Sequence, residues 1–347
     1  MKFLLVKLNH IGDTLIMTPT IHAIREAYPD ARIDVVVRKG CEGVLEGNPD
    51  IDNVFTIARP EKERRNPLEG LRENIRLFAS TAFRRYDYAF DLSNSDRAKL
   101  IIALSFAKHR GINRWHAKLG WKKYLFTDFS DYAWGKSHRV LQDFVTVKDI
   151  LGFEQEAGPL RISTEGIDLP SLQQRFRLGA KPYIVIHATS RWSFKEWEPA
   201  RWREVIRALV ASGYDILLSC GPDPREIATA ATLAEGFPEV RLTRGGTTLR
   251  ELAALIGGAE AFLGVDTVAM HIAAAVGTPV VALFGPSSEW SWAPWKVPQR
   301  LILGDCPCKI TRKFVCDKSR LLPCMESIRP PEVIEAVKEL IEGTAAA

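Results

Sequence analysis

The stretch GVDTVAMHIAAAVGTPVVALFGP, residues 264–286, decides the reading of this chain. AFLGV (261–265) is a strand-length apolar run, TVAMHIAAAVG (267–277) reads as a helix, and PVVALFG (279–285) reads as the next strand. Working backwards, TLRELAALIGGA is a helix and YDILLSC a strand that ends at Gly221-Pro222. EPARWREVIRALVAS is a helix closed by Gly213, and YIVIHA (183–188) is a strand. Strand-length apolar runs alternating with helical patterns are the signature of parallel α/β layers. The strands end in polar residues or glycine, at His187 and Thr189, Gly221, Asp266 and Gly285. In open parallel sheets ligands bind beyond the carboxyl ends of the strands, so these ends form a candidate site before any motif is considered.

The first half repeats the alternation. FLLVKL leads into a helix for which Thr18 is the expected cap, with Pro19 in its first turn and Ile21, Ile24 and Tyr28 on one face. Pro29 and Asp30 stop it, RIDVVVR is the next strand, and YDYAFDLS near residue 90 is a later one. The polar stretch ISTEGIDLP, followed by a short helix-like piece and GAKP, marks a boundary between two domains. We therefore expect domains at residues 1–172 and 173–328, with 329–347 forming an amphipathic helix that returns to the first domain.

The 347 residues are 46% apolar and 26% charged, with a net charge of +5, which suits two domains with ample cores. No apolar stretch is long enough to span a bilayer, and Met1 leads straight into a strand-like run without a signal-peptide layout, so the expected compartment is the cytoplasm. Cys306, Cys308, Cys316 and Cys324 cluster near the C-terminus. A zinc site and reduced structural thiols are both open readings; the spacing C-x-C-x7-C-x7-C lacks paired C-x2-C knuckles and favours thiols.

The first strand-to-helix turn is NHIGD rather than G-x-G-x-x-G, and no G-x4-G-K-[ST] occurs. The backbone cradles of an NAD pyrophosphate or an ATP triphosphate are missing. Asp13 would also repel a phosphate there. Local sequence leaves two readings of Asp13, a helix cap or a base facing a ligand. The second half offers the anion site: Asp266-Thr267 end a strand just before a helix whose N–H groups can bind phosphate, and His271 lies one turn further along the same face. Lys195 is read locally as a solvated lysine, and Thr189 and Ser190 as turn residues. KHRGINRWHAKLGWKK (108–123) holds six Lys or Arg and no acid, with Trp115 and Trp121 interleaved. It reads as a solvated basic face, a single-strand nucleic-acid surface, or a surface for an acidic, membrane-anchored acceptor.

Several segments together resemble glycosyltransferase family 9, the ADP-heptose:lipopolysaccharide heptosyltransferases. The 264–286 run resembles the signature D-[ST]-x-x-x-H-x-A-A-A-x-x-x-P. VKLNHIGDTLIMTPTIHAIREAYP resembles the family's first strand and its G-D loop. HATSRWSFKEW (187–197) resembles the nucleotide-side loop, in a form most similar to the third, branch-adding class, and WAPW and the cysteine-bearing stretch before CMESI are similar too. The resemblance implies a GT-B fold, two Rossmann-like domains facing each other across a cleft. It also implies inverting, metal-independent transfer of heptose from ADP-heptose to a hydroxyl of the anionic lipopolysaccharide inner core, with no cofactor and no nucleic-acid partner. The enzyme would be cytoplasmic or peripheral on the inner membrane. Asp13 matches the family's base, and Thr189, Ser190, Lys195, Asp266, Thr267 and His271 match positions serving the donor diphosphate. Glu226 and Thr247 fall where the family contacts the adenosine. Val268 stands where the family commonly has glycine. Gly12, Asn94, Arg97, Lys118 and His138 are expected on the acceptor side. The alternatives are a GT-B enzyme for another nucleotide sugar and a non-catalytic basic binder of anionic lipid or nucleic acid.

Overall fold

A computed structural model describes residues 1–58, 84–115, 119–306, 316–317 and 322–345. It divides into two compact units, Met1–Ser163 and Thr164–Ala347. The division falls ahead of the expected 172/173 because the helix Leu169–Arg175 is committed to the second unit. It packs on the helix Leu249–Gly257, and Arg175 Nη1 donates to Glu251 Oε1 at 3.2 Å.

The first unit is built on β1 (Lys2–Lys7), β2 (Arg32–Arg38), β3 (Asn53–Ile57), β4 (Tyr88–Asp91), β5 (His109–Asn113) and β6 (Asp128–Ser130). They form one parallel sheet in the order β3-β2-β1-β4-β5-β6. The second unit repeats this with β7 (Tyr183–His187), β8 (Asp215–Leu218), β9 (Val240–Leu242), β10 (Ala261–Val265), β11 (Val280–Phe284) and β12 (Gln299–Leu303), in the order β12-β11-β10-β7-β8-β9. Central strands such as β1 and β10 are buried along almost their whole length, which is why they read as unbroken apolar runs. In each sheet the order reverses direction between the first and fourth strands of the unit. That switch point opens a crevice at the carboxyl ends of β1 and β4, and again of β7 and β10.

Helix faces follow from spacing. In α1 (Ile11–Ile16) and α2 (Thr18–Ala27) the chain turns directly out of β1. Thr18 does not cap α2 as expected: Met17 is the cap residue, and the Thr18 hydroxyl donates to the Leu15 carbonyl at 2.7 Å. The reason is α1, an unforeseen turn of helix that already occupies the approach. α3 (Asp96–Leu104) follows β4 and is capped by Ser95. α4 (Arg139–Leu151) buries Val140, Phe144 and Val147 and ends on Gly152 in the left-handed region, at φ +70°. In the second unit, α5 is Leu169–Arg175, and α6 (Pro199–Ala211) buries Trp202, Val205, Ile206 and Leu209. α7 (Pro224–Ala234), α8 (Leu249–Gly257) and α9 (Val268–Val276) follow their strands. After the short turns α10 (Glu289–Trp292) and α11 (Pro323–Glu326), α12 (Pro330–Ala345) closes the chain. Expected from the sequence to return to the first domain, it packs its apolar face within the second unit. Val333, Ala336, Val337 and Leu340 join the core that holds Leu209, Val281 and Ile302, so the apolar face of α12 is used up on α6 and β10–β12. Cys306, Cys316 and Cys324 lie in or against that same core and are not joined in disulfides, and Cys308 lies outside the described residues. Burial, with Cys306 beside it, pushes the Cys324 thiol up to about 12.

Candidate functional site

The first switch point holds a cavity of about 740 Å³. Lys7, Asn9 and Asp13 reach it from the end of β1, and Leu92, Ser93, Asn94, Asp96 and Lys99 from the end of β4 and from α3. Trp115, Trp134, Arg139 and Asp143 complete its wall. Three carboxylates line it. Asp143 is taken by Lys7, whose Nζ lies 2.6 and 2.8 Å from its two oxygens and 2.9 Å from the Leu92 carbonyl. Asp96 is paired with Lys122 at 2.6 Å. Asp13 has no ion-pair partner among the described residues. Its Oδ2 accepts the His10 backbone N–H at 3.1 Å, fixing the side chain at the third residue of α1. One carboxylate thus both caps α1 and lines the cavity. Beneath the loop, Asp91 Oδ1 accepts the N–H groups of Ser93 and Asn94 at 2.8 and 2.9 Å. Burial raises the Asp91 carboxyl to about 6, with those hydrogen bonds, Lys99 and Lys7 opposing the rise.

At the second switch point the loop after β7 meets the turn after β10. Lys195, in the short turn Ser193–Lys195, donates to Asp266 Oδ2 at 2.6 Å. Thr267 rather than Asp266 is the cap residue of α9; its buried hydroxyl oxygen has no hydrogen-bond partner among the described residues. His271 is buried within the first turn and a half of α9, its ring 6.2 Å from that of Trp292. The Lys195–Asp266 pair, an unpartnered Thr267 hydroxyl and the N-terminal N–H groups of a nine-residue helix therefore lie together at the end of β10. The N–H groups at a helix N-terminus can bind an anion.

The loop is held by a second set of bonds. Glu196 Oε1 accepts the Ser190 N–H at 2.7 Å, and Arg225 Nη1 lies 2.9 Å from both Glu196 oxygens while its Nη2 reaches the Ser190 carbonyl at 2.6 Å. Buried Glu226 accepts the Thr189 hydroxyl at 2.8 Å and the Gly221 N–H at 3.1 Å, joining the loops after β7 and β8. His187 is also buried, bonded to Ser219 at 2.9 Å, and desolvation lowers its pKa to about 4.

The sequence pattern described as Glycosyltransferase family 9 (heptosyltransferase) matches residues 75–321. The chain belongs to this family. It is 30% identical to Lipopolysaccharide heptosyltransferase 3 of Escherichia coli, over 82% of this chain and 83% of that protein. Among solved structures, E. coli ADP-heptose lps heptosyltransferase II superposes with a TM-score of 0.81 at 21% identity, covering 99% of this chain and 100% of that one. E. coli heptosyltransferase WaaC with ADP gives 0.79 at 20% identity, over 98% and 100%. The GT-B class of fold and the glycosyltransferase class of enzyme expected from the sequence are thereby established.

Within this family-9 chain the sequence-selected residues divide into groups. Asp13 and Asn94 line the first cavity; Gly12, beside Asp13 in α1, does not. Arg97 donates to the Ala58 carbonyl, and the His138 ring accepts the Val140 N–H at 3.1 Å as the cap of α4, so both hold backbone in place. Lys118 lies outside the described residues. Lys195, Asp266, Thr267 and His271 gather at α9, whereas the Thr189 hydroxyl is committed to Glu226, and Thr247 is half-buried just before the capping box of α8. Lys7, Asn9, Ser93, Lys99, Trp134 and Asp143 escaped sequence reading. The one available signal was Lys7, a charge ending an otherwise apolar central strand.

Proposed function

We propose that this enzyme transfers heptose from ADP-heptose, bound by the second unit, to a hydroxyl of the anionic lipopolysaccharide inner core, bound in the first-unit cavity. The supporting relatives act on that class of substrate by name. The observation that carries the residue assignment is Asp13, the cavity carboxylate that no described cation pairs with. In the proposed step the acceptor oxygen attacks the anomeric carbon from the face opposite the diphosphate. The bond from that carbon to the diphosphate oxygen breaks, the acceptor proton passes to Asp13, and ADP leaves with inversion. Charge on the leaving diphosphate is met by Lys195, the N–H groups of α9, Thr267 and His271, without a metal ion. Ser190 borders this site, while Thr189 and Glu226 hold its loop and, with Thr247, shape the nucleoside side. Asn94 meets the acceptor, with Gly12, Arg97, Lys118 and His138 around it, and the acceptor reaches the protein at the membrane face.

Mass spectrometry of a truncated lipopolysaccharide core incubated with ADP-heptose and with other nucleotide sugars tests this. Wild type should add one heptose from ADP-heptose, with EDTA present. Asp13→Ala and Asp13→Asn should lose about 10²- to 10⁴-fold in turnover while still binding ADP-heptose. Near-wild-type turnover of either variant would remove Asp13 as the base, and consumption of another donor instead would remove the substrate assignment.

A further inference from the structure

Nine large apolar side chains stand exposed among the described residues, and six of them lie between residues 100 and 124: Leu100, Leu104, Phe106, Trp115, Trp121 and Tyr124. Their clustering has a structural cause. Ala98 and Ile102 of α3 are buried, so Leu100 and Leu104, one turn apart, project from the other side. The turn Gly120–Leu125 packs on α3 and is anchored inward by Leu119 and Leu125 and sideways by Lys122 on Asp96, at 2.6 Å. Trp121 and Tyr124 are left 69% and 76% exposed. Phe106, just past α3, is 67% exposed although its φ of +51° would suit asparagine or glycine better. A bulky apolar residue kept solvent-facing on strained backbone has no folding benefit to explain it.

The same segment is basic. From Leu100 to Thr127 the chain holds six Lys or Arg and no acid; Lys108, Arg114 and Lys122 are paired with Asp87, Asp131 and Asp96 of neighbouring segments. Lys123 lies 5.0 Å over the Tyr124 ring and has no carboxylate partner among the described residues. Tryptophan, tyrosine and phenylalanine beside lysine is the composition that settles at a bilayer interface, rings at the headgroup level and ammonium groups among lipid phosphates. A protein partner of ordinary chemistry would not need this excess of one charge, and a soluble surface would not keep the apolar patch.

We propose that α3 and the Gly120–Leu125 turn form a docking face for an anionic phospholipid bilayer. Trp115 belongs both to this face and to the wall of the first-unit cavity, so docking would present that cavity to a lipid-anchored acceptor. The purpose of the face, though not its geometry, rests on the acceptor proposed above.

Co-sedimentation of the full chain with vesicles of phosphatidylcholine, with and without 25% phosphatidylglycerol, tests the face without any sugar present. Wild type should bind the anionic vesicles at least tenfold better than the neutral ones, and high salt should weaken binding. Trp121→Ala/Tyr124→Ala should lower binding at least tenfold, and Lys123→Ala about fivefold. Phe106→Asn, which suits the backbone and should fold at least as well, should also weaken it. Each variant should transfer to a water-soluble acceptor at the wild-type rate. Absence of vesicle binding by wild type, or unchanged binding by Phe106→Asn and the double variant, overturns the proposal. So does self-association or RNA binding abolished by the same substitutions without vesicle binding. If vesicle binding behaves as stated while sugar transfer fails, the docking face stands and the transfer reading falls.

Discussion

Lys7 and Asp143 lie 136 residues apart in sequence and form a buried ion pair in the wall of the first-unit cavity, with both side chains about 5% exposed. Burial pushes the Asp143 carboxyl upward; Lys7 is the main opposing influence, and the nearby Asp13 charge adds to the push. Among the described residues, Asp143→Ala leaves the Lys7 ammonium with only the Leu92 carbonyl, at 2.9 Å. An uncompensated charge of this kind costs about 3–5 kcal/mol. At about 2–4 °C per kcal/mol for a unit of this size, the melting temperature should fall by about 6–20 °C. Removing both charges is different in kind. Lys7→Met/Asp143→Leu replaces the pair with apolar groups of similar volume and should recover most of the loss, since paired charges gain little over good packing once their desolvation is counted. Thermal denaturation of the wild type, both single variants and the double variant gives the full cycle. The reasoning is refuted if Asp143→Ala costs less than about 1 kcal/mol, or if the double variant is less stable than the worse single one.

Three further outcomes are expected. Asp91 titrates at about 6 in the folded chain against 3.8 ordinarily, so its contribution to stability is complete below about pH 4 and is lost as pH rises through 6. The shift corresponds to about 3 kcal/mol, so Asp91→Asn, which keeps an oxygen for the Ser93 and Asn94 N–H groups, should be more stable than wild type at pH 8. Melting temperatures from pH 5 to pH 8 should show that gap closing as pH falls, and a constant or reversed gap would sink the assignment. Lys195→Ala leaves the Asp266 carboxylate without its partner at 2.6 Å and removes a cation from the α9 site. Steady-state transfer assays should show a loss of about 10²- to 10³-fold in kcat, and unchanged kinetics would return Lys195 to the solvated surface. Gly245 sits at φ +64°, and an added Cβ would lie 2.6 Å from Pro222 Cα and 2.7 Å from the Gly221 carbonyl. Both neighbours are backbone, so Gly245→Ala should cost at least about 1–3 kcal/mol and weaken ADP binding by calorimetry, because the loops after β8 and β9 must part.

The long buried strands were legible because a parallel strand covered on both faces must be apolar throughout, as in AFLGV and YIVIH. The short strands toward the sheet edges were not. Arg110 and Asn113 in β5, Asp128 in β6 and Arg241 in β9 give those short segments the look of loops, and only the neighbouring strand supplies their regularity. The same limit applies to the site. Asp13 and Asp266 could be read because each stands at the end of a legible strand. Asp143 lies within α4, where a carboxylate among apolar neighbours reads as an exposed helix position, and only the fold brings Lys7 to it. Trp134 and Lys99 are likewise placed by tertiary packing around the cavity.

The two units share one strand order, so their chemical difference must come from the residues at equivalent points. After the first strand of the first unit the chain supplies Asp13; after the first strand of the second it supplies a loop ending in Lys195. The fourth strands reverse the assignment. β4 runs into Asp91 and the Asn94 turn, with Lys99 behind them, while β10 runs into Asp266 and the open N-terminus of α9. Each crevice therefore pairs a carboxylate with a cation, but the balance differs. In the first, Lys7 is spent on Asp143, and Asp13 is left facing the cavity without a counter-charge among the described residues. In the second, the carboxylate is the one already paired, and the helix N–H groups and Thr267 hydroxyl are left over. A surplus of proton-accepting capacity on one sheet and of anion-binding capacity on the other is what a transfer between a hydroxyl and a diphosphate sugar requires. Under the proposed function a carboxylate is tolerated at the turn where dinucleotide-binding sheets hold a phosphate, because the donor phosphates are assigned to the other sheet.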